Sequence, residues 1–280
     1  MPPIRKFSRG LLLPAFGLML LYAGFQDPGP PSFSSRLELT VEPRMPVRIY
    51  LFKNDRPFKM QPVQAVLPIK SDQFYRDRLW TDGNRDPDVM EVIVNDEYYY
   101  LLLKGRASFH LPAGKYRLEA YRGLFYTPVR QEFELTSGQT HAVSIPMRPW
   151  EGVRPEEWIS GDDHIHLTRT QREDSVYLDW LKAEDLSVGN FLQLHRQMDA
   201  GVQYAFGKKG EFKQGAYTIR PGQETRYQRL GHILMLGVDK LIRPLSTGSE
   251  LANSPEDYPF HGPLFDLGRK AGGTNGYAPF

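Results

Sequence analysis

Between Arg36 and Pro149 the chain keeps returning to short stretches of alternating apolar and polar residues, and this period of two constrains the fold more than any other feature. "RLELTVEP", "VRIYLF", "VMEVIVN", "EYYYLLL", "KYRLEAY" and "HAVSIPM" are rich in β-branched and aromatic residues, and Asn-Asp, Pro-Ala-Gly and Ser-Gly turns separate them. Strands of this length at this spacing predict an all-β sandwich over residues 36–149. Tyr98, Tyr99 and Tyr100 are consecutive, so in a strand they face opposite sides and read as packing rather than as one sugar-binding platform. His110 and His141 stand without acidic or histidine neighbours and read as hydrogen-bonded sandwich residues.

At "MRPWEGVRPEEW" the texture changes, and prolines, a glycine and two tryptophans mark a junction near residue 150. Beyond it "EWISGDDHIHL" reads as a strand, "SVYLDWLKAEDL" as a helix, "SVGNFLQL" and "GHILMLGVDKLI" as strands, and "PLFDLGRKAGG" as a short helix ending at Gly-Gly. Strand and helix in alternation predict an α/β domain over 150–280. A chain of 280 residues is long enough for two domains.

Several classes of function are excluded. With 35 basic and 33 acidic residues the formal charge is only +2, and no cationic run offers a footprint for nucleic acid. The absence of cysteine removes disulfides, thiolate ligands and a cysteine nucleophile, so any metal site must use histidine and carboxylate. "GKKGEF" lacks the spacing of a phosphate-binding loop, and no G-x-S-x-G elbow supports a serine hydrolase.

Residues 1–27 carry Arg5, Lys6 and Arg9 followed by "LLLPAFGLMLLYAGF", which predicts a secretory signal peptide or an N-terminal anchor, with 28–35 as a linker. The apolar run is shorter than the roughly 20 residues of a spanning helix. Phe25 stands where lipid attachment would need cysteine. The chain is therefore expected to be exported to the periplasm or outside the cell, touching a membrane only through an uncleaved N-terminus.

Ligand chemistry concentrates in "ISGDDHIHLT". Residues i and i+2 of a strand share a face, which places His164 and His166 together where their imidazoles can share a metal ion. Asp162, two residues back, would accept the outer N–H of a ligating histidine and fix its tautomer. A second cluster, "GQETRYQRLGHILMLG", brings Glu224, a carboxylate able to bridge two divalent ions, and His232 at the start of an apolar strand. Such a set suits zinc, manganese or iron in hydrolysis. Arg226 and Arg229, near Glu224, have the charge to attract an anionic group, but read first as solvated surface arginines.

Two resemblances extend this reading. The stretch "ASFHLPAGKYRLEAYRGLFYTPVRQEFELTSGQTHAVSIPM" resembles the end of a transthyretin-like, carboxypeptidase-regulatory β-sandwich. "WISGDDHIH", "AEDLSVGNFLQ", "GQETR…GHILMLGVDKLI" and "AGGTNGYA" resemble, in order, the carbaryl-hydrolase-like (CehA/McbA) branch of the polymerase-and-histidinol-phosphatase (PHP) superfamily. That resemblance implies a distorted α/β barrel and a metal-dependent hydrolase, with His164, His166, Glu224 and His232 as metal ligands and Asp162 supporting them. The substrate would be an ester, phosphoester or carbamate-like small molecule.

The sequence departs from that family as well. Gln193 and Leu194 fall near an expected Asp-His pair, with His195 about one residue out of register, and Pro279 occupies the place of an expected histidine. The late Asp-x-His element is missing, so the expectation is an incomplete α/β barrel from the N-terminal part of a longer domain, with His195 and His261 as further candidate ligands. The alternative is an exported sandwich that binds a glycan or a protein, followed by a non-catalytic remnant of a metallohydrolase.

Overall fold

The computed structural model describes residues 35–62, 66–71, 88–94, 97–195, 201–226, 231–242 and 260–278. The signal-like segment 1–27, the linker as far as residue 34, Arg229 and Pro279 lie outside them. No helix among the described residues is long and apolar enough to cross a membrane.

The alternating stretches become strands β1 (Ser35–Glu42), β2 (Val47–Lys53), β3 (Val66–Ser71), β4 (Val89–Val94), β5 (Glu97–Leu102), β6 (Arg106–Leu111), β7 (Gly114–Tyr121), β8 (Val129–Leu135) and β9 (Thr140–Pro146). A four-stranded sheet has the order β9-β1-β6 and then the short strand Gln61–Pro62. A seven-stranded sheet has the order β8-β7-β2-β5-β4-β3, with Arg56–Pro57 folded back on β2. Asn54 and Asp55 both adopt positive φ there, as a two-residue turn matched to the strand twist requires.

Leu37, Leu39 and Val41 of one sheet meet Ile49, Leu51, Leu118 and Ala120 of the other, with Phe109 and Tyr100 at the centre. Their ring centroids are 5.4 Å apart, edge to face. Tyr100 points into this core, where its hydroxyl donates to the Met60 carbonyl, whereas Tyr99 points out of the opposite face. The three tyrosines thus divide between faces as strand geometry demands.

The second half follows as β10 (Gly161–Ile165), α1 (Asp174–Ala183), β11 (Val188–His195), β12 (Phe212–Gln214), β13 (Tyr217–Thr225), β14 (Ile233–Leu236), α2 (His261–Lys270) and β15 (Thr274–Tyr277). The sheet order is β10-β11-β13-β14-β15, with β12 paired to β13. β10, β11 and β13 run parallel, and α1 forms the crossover from β10 to β11. β14 and β15 then return antiparallel.

The expected α/β half, a PHP-type distorted barrel, is overturned. Among the described residues strand accounts for 50% and helix for 14%, far too little helix for a barrel in which each strand is followed by one, and the sheet is an open half-barrel. The physical reason lies in the connections. Only residues 226–232 separate β13 from β14, and a parallel return needs a dozen or more residues, so the strand "ILML" can only pair antiparallel. Between β11 and β13 the turn at Gly215, with φ of 58°, makes a β12–β13 hairpin in place of a crossover helix.

The described residues form one compact unit, and α1 is the reason. It buries Val176, Tyr177, Leu178 and Leu181 in a core shared with Met90, Val92 and Leu101 on the outer face of the sandwich and with Phe191 and Ile219 of the third sheet. The buried guanidinium of Arg122 fixes this seam, donating to the Pro46 carbonyl at 2.7 Å, to the Lys182 carbonyl at the end of α1 at 2.6 Å and to Asp185 at 2.6 Å. It thereby adds a charged donor to a carbonyl at the helix C-terminus, where positive charge is favoured.

Candidate metal centre

Three parallel strands end at the same place, and each contributes a polar group there. Register along β10 and β11 is not uniform: Asp162 pairs with Gly189 and Ile165 with Phe191, so three steps on one strand match two on the other. That bulge breaks the alternation and re-aims the side chains on either side of it. The Asp162 carboxylate turns back to accept the backbone N–H of His164 at 2.9 Å. Asp162 therefore supports the histidine loop through its backbone, and the imidazole contact expected from the sequence is not the one it makes.

His164 and His166 converge nonetheless, with their Nε2 atoms 3.1 Å apart. Nδ1 of His166 lies 2.9 Å from the Leu192 carbonyl. A carbonyl can only accept, so Nδ1 carries the proton of that contact, and Nε2 is the ring atom turned into the site. Gly201, at φ of 62°, seals the back of this arrangement, because a Cβ there would stand 2.5 Å from the Leu192 oxygen and 3.4 Å from the His166 backbone.

Glu224 is the centre of the site. It sits near the end of β13, between Leu194 of β11 and Leu234 of β14, and its side chain is 0% exposed. Oε2 lies 3.2 Å from His164 Nε2 and 2.5 Å from His166 Nε2. Oε1 lies 2.9 Å from His232 Nδ1 and accepts from Arg226 Nε at 3.0 Å. Burial alone raises the pKa of this carboxyl, but the hydrogen bond and charge of His166, with the charge and hydrogen bond of Arg226, outweigh it and hold the group at about 2. His232 is pushed down by burial, and the positive charges of Arg226 and His164 add to this against the pull of Glu224. The site thus holds a fully ionised carboxylate and, at neutral pH, an uncharged His232.

His164, His166 and Glu224 form a three-donor group whose ligand atoms all lie within 4.8 Å of one another, and His232 approaches the other oxygen of the same carboxylate. The donors fit a divalent cation. Lone pairs of imidazole and carboxylate aimed at one point repel unless positive charge lies between them. Tetrahedral zinc with ligands at about 2.0–2.1 Å keeps them roughly 3.3 Å apart, near the 3.1 and 3.2 Å spacings here. The 2.5 Å contact between His166 and Glu224 is tighter than that spacing.

The remaining sequence candidates go elsewhere. Leu194 is buried in the sheet and Gln193 accepts the backbone N–H of Gln203, so neither acts as a donor. The backbone of His195 closes β11 opposite Thr225. His261 begins α2 and packs with Tyr277 and Phe265, its Nδ1 3.3 Å from the Tyr277 hydroxyl. His141 stacks on Phe133 at 5.2 Å in the sandwich.

Two contributors escape a reading of the sequence. Arg226 is no surface arginine, since its side chain is 19% exposed and bound to Glu224; the E-T-R spacing, with Arg226 just past the end of β13, was the available signal. The Leu192 carbonyl that orients His166 has no sequence signal, because every residue carries one. No protein-family model, curated protein or solved structure matches this chain, so the family resemblance stands on its four motifs alone.

Proposed function

We propose that this chain is an exported hydrolase of ester, phosphoester or carbamate-like bonds that depends on a divalent cation, zinc, manganese or iron, held by His164, His166 and Glu224. The observation that carries the proposal is the convergence of these side chains, with His232, from separate stretches of sequence on one buried carboxylate. A bound cation would supply Lewis acidity, lowering the pKa of water toward ~7 and polarising the oxygen of the scissile bond.

The chain's own residues prepare for this. His166 is locked in one tautomer by Leu192, and the ionised Glu224 provides negative charge that no proton neutralises near pH 7. Asp162 holds the His164 backbone in place across the bulge. The donors gather at the C-terminal ends of β10 and β13, on the side where ligands bind in open parallel sheets. Two imidazoles and a carboxylate form a donor set that catalytic zinc uses in hydrolysis.

The test is elemental analysis of purified protein together with hydrolysis of activated ester and phosphodiester probes. Stoichiometric zinc, manganese or iron, lost along with hydrolysis in His164→Ala/His166→Ala, supports the proposal. Metal-free wild type after incubation with each ion, or hydrolysis that survives the double substitution, rejects it.

A further inference from the structure

Resting on that ion site, we infer that the guanidinium of Arg226 takes the place of a second cation, so that Glu224 serves one divalent ion and not two. A carboxylate that bridges two ions offers one oxygen to each. Here Oε2 faces the paired histidines, while Oε1 receives Arg226 Nε at 3.0 Å and His232 Nδ1 at 2.9 Å. The second oxygen therefore already has its positive charge.

That charge is permanent. A guanidinium does not lose its proton in proteins, so Arg226 brings positive charge to Oε1 at every working pH. Its tether is short, because Arg226 directly follows the end of β13, two residues after Glu224, and its Nε already reaches Oε1 at 3.0 Å. A divalent ion brought to Oε1 would meet a like charge at close range where water screens poorly. The sequence offers the opposite expectation, since Glu224 has the chemistry of a bridging ligand and His232 stands ready beside it. The side chain two positions along the strand decides between them. One consequence is that chelation, which strips a metal ion, leaves Oε1 neutralised.

The experiment loads the full chain with excess Mn2+, removes free ion by dialysis, and reads manganese per chain with the electron paramagnetic spectrum. Wild type is expected to hold one ion and give the signal of an isolated Mn2+. Arg226→Gln, which keeps a hydrogen-bond donor and loses the charge, is expected to take up a second ion with a spin-coupled spectrum. Arg226→Lys, which keeps the charge, is expected to stay at one, and circular dichroism verifies that each variant is folded. Two ions in wild type or in Arg226→Lys, or a single ion in folded Arg226→Gln, overturns the inference. Wild type that binds no manganese, zinc or iron removes the ion site itself, a failure distinguishable from the first.

Discussion

In β1 burial alternates, with Leu37, Leu39 and Val41 inside and Arg36, Glu38 and Thr40 turned outward, whereas in β13 Pro221, Gly222, Gln223, Glu224 and Thr225 are buried one after another. The first strand has one covered face and is held by apolar contact. The second is covered on both faces, and a polar side chain there must find a partner or cost about 1–3 kcal/mol. Glu224 finds four, in His164, His166, Arg226 and His232. The sandwich therefore supplies stability through transfer of apolar surface. The third sheet gives some of that up to hold charge in a fixed arrangement.

This contrast can be broken or sharpened by substitution, and the largest effect belongs to the sandwich. Phe109→Ala removes a fully buried ring from the main core and is expected to cost about 3–5 kcal/mol in urea unfolding, while metal content per folded chain stays at the wild-type value. Parallel losses of stability and ion binding would show that the two regions are not separable. Next is the seam. Arg122→Met leaves Asp185 and two carbonyls without their buried donor and should cost about 3 kcal/mol, with tryptophan fluorescence and far-ultraviolet dichroism no longer changing together.

Gly201→Ala tests the back wall of the site. Forcing alanine to φ of 62° against the Leu192 oxygen should cost about 1–3 kcal/mol, and by disturbing the acceptor of His166 should weaken ion binding roughly tenfold, measured by competition with a chelating dye. Unchanged affinity would mean that the Leu192 contact does not orient the ring.

The smallest expected effect concerns pH in the metal-free protein. The Glu224 carboxyl titrates at about 2 when folded, below its ordinary 4.5, so its folded form is the one that prefers to be ionised. The stability it contributes is present above pH 4.5 and is lost as pH falls from there toward 2. Thermal melts of wild type should drop more steeply through that window than those of Glu224→Gln, and equal slopes would show that Glu224 is not held ionised by its neighbours.

How much of this the amino acids disclosed follows from the same contrast. Where burial alternates, the period of two was enough to mark the strands of the sandwich, down to the opposite faces of Tyr99 and Tyr100. In the second half the elements "SVYLDWLKAEDL" and "PLFDLGRKAGG" were legible as helices, yet the architecture was not. A strand such as "GHILMLG" has the same texture whether it pairs parallel or antiparallel, and only the shortness of the link at 226–232 decided it. Likewise the i, i+2 rule brought out His164 and His166, but the bulge that turns Asp162 to the backbone is set by pairing with β11, which local sequence does not contain. Arg226 was overlooked because its partner is buried, and burial is a property of the assembled sheet.

The central claim is that two imidazoles and a carboxylate, distant in sequence, share one cation. Diffraction from zinc-loaded crystals, recorded on both sides of the zinc absorption edge, tests it most directly. The account predicts a single anomalous peak within about 2.0–2.2 Å of His164 Nε2, His166 Nε2 and Glu224 Oε2. A fully loaded crystal with no peak among those three atoms, or with its zinc bound elsewhere on the chain, would contradict it.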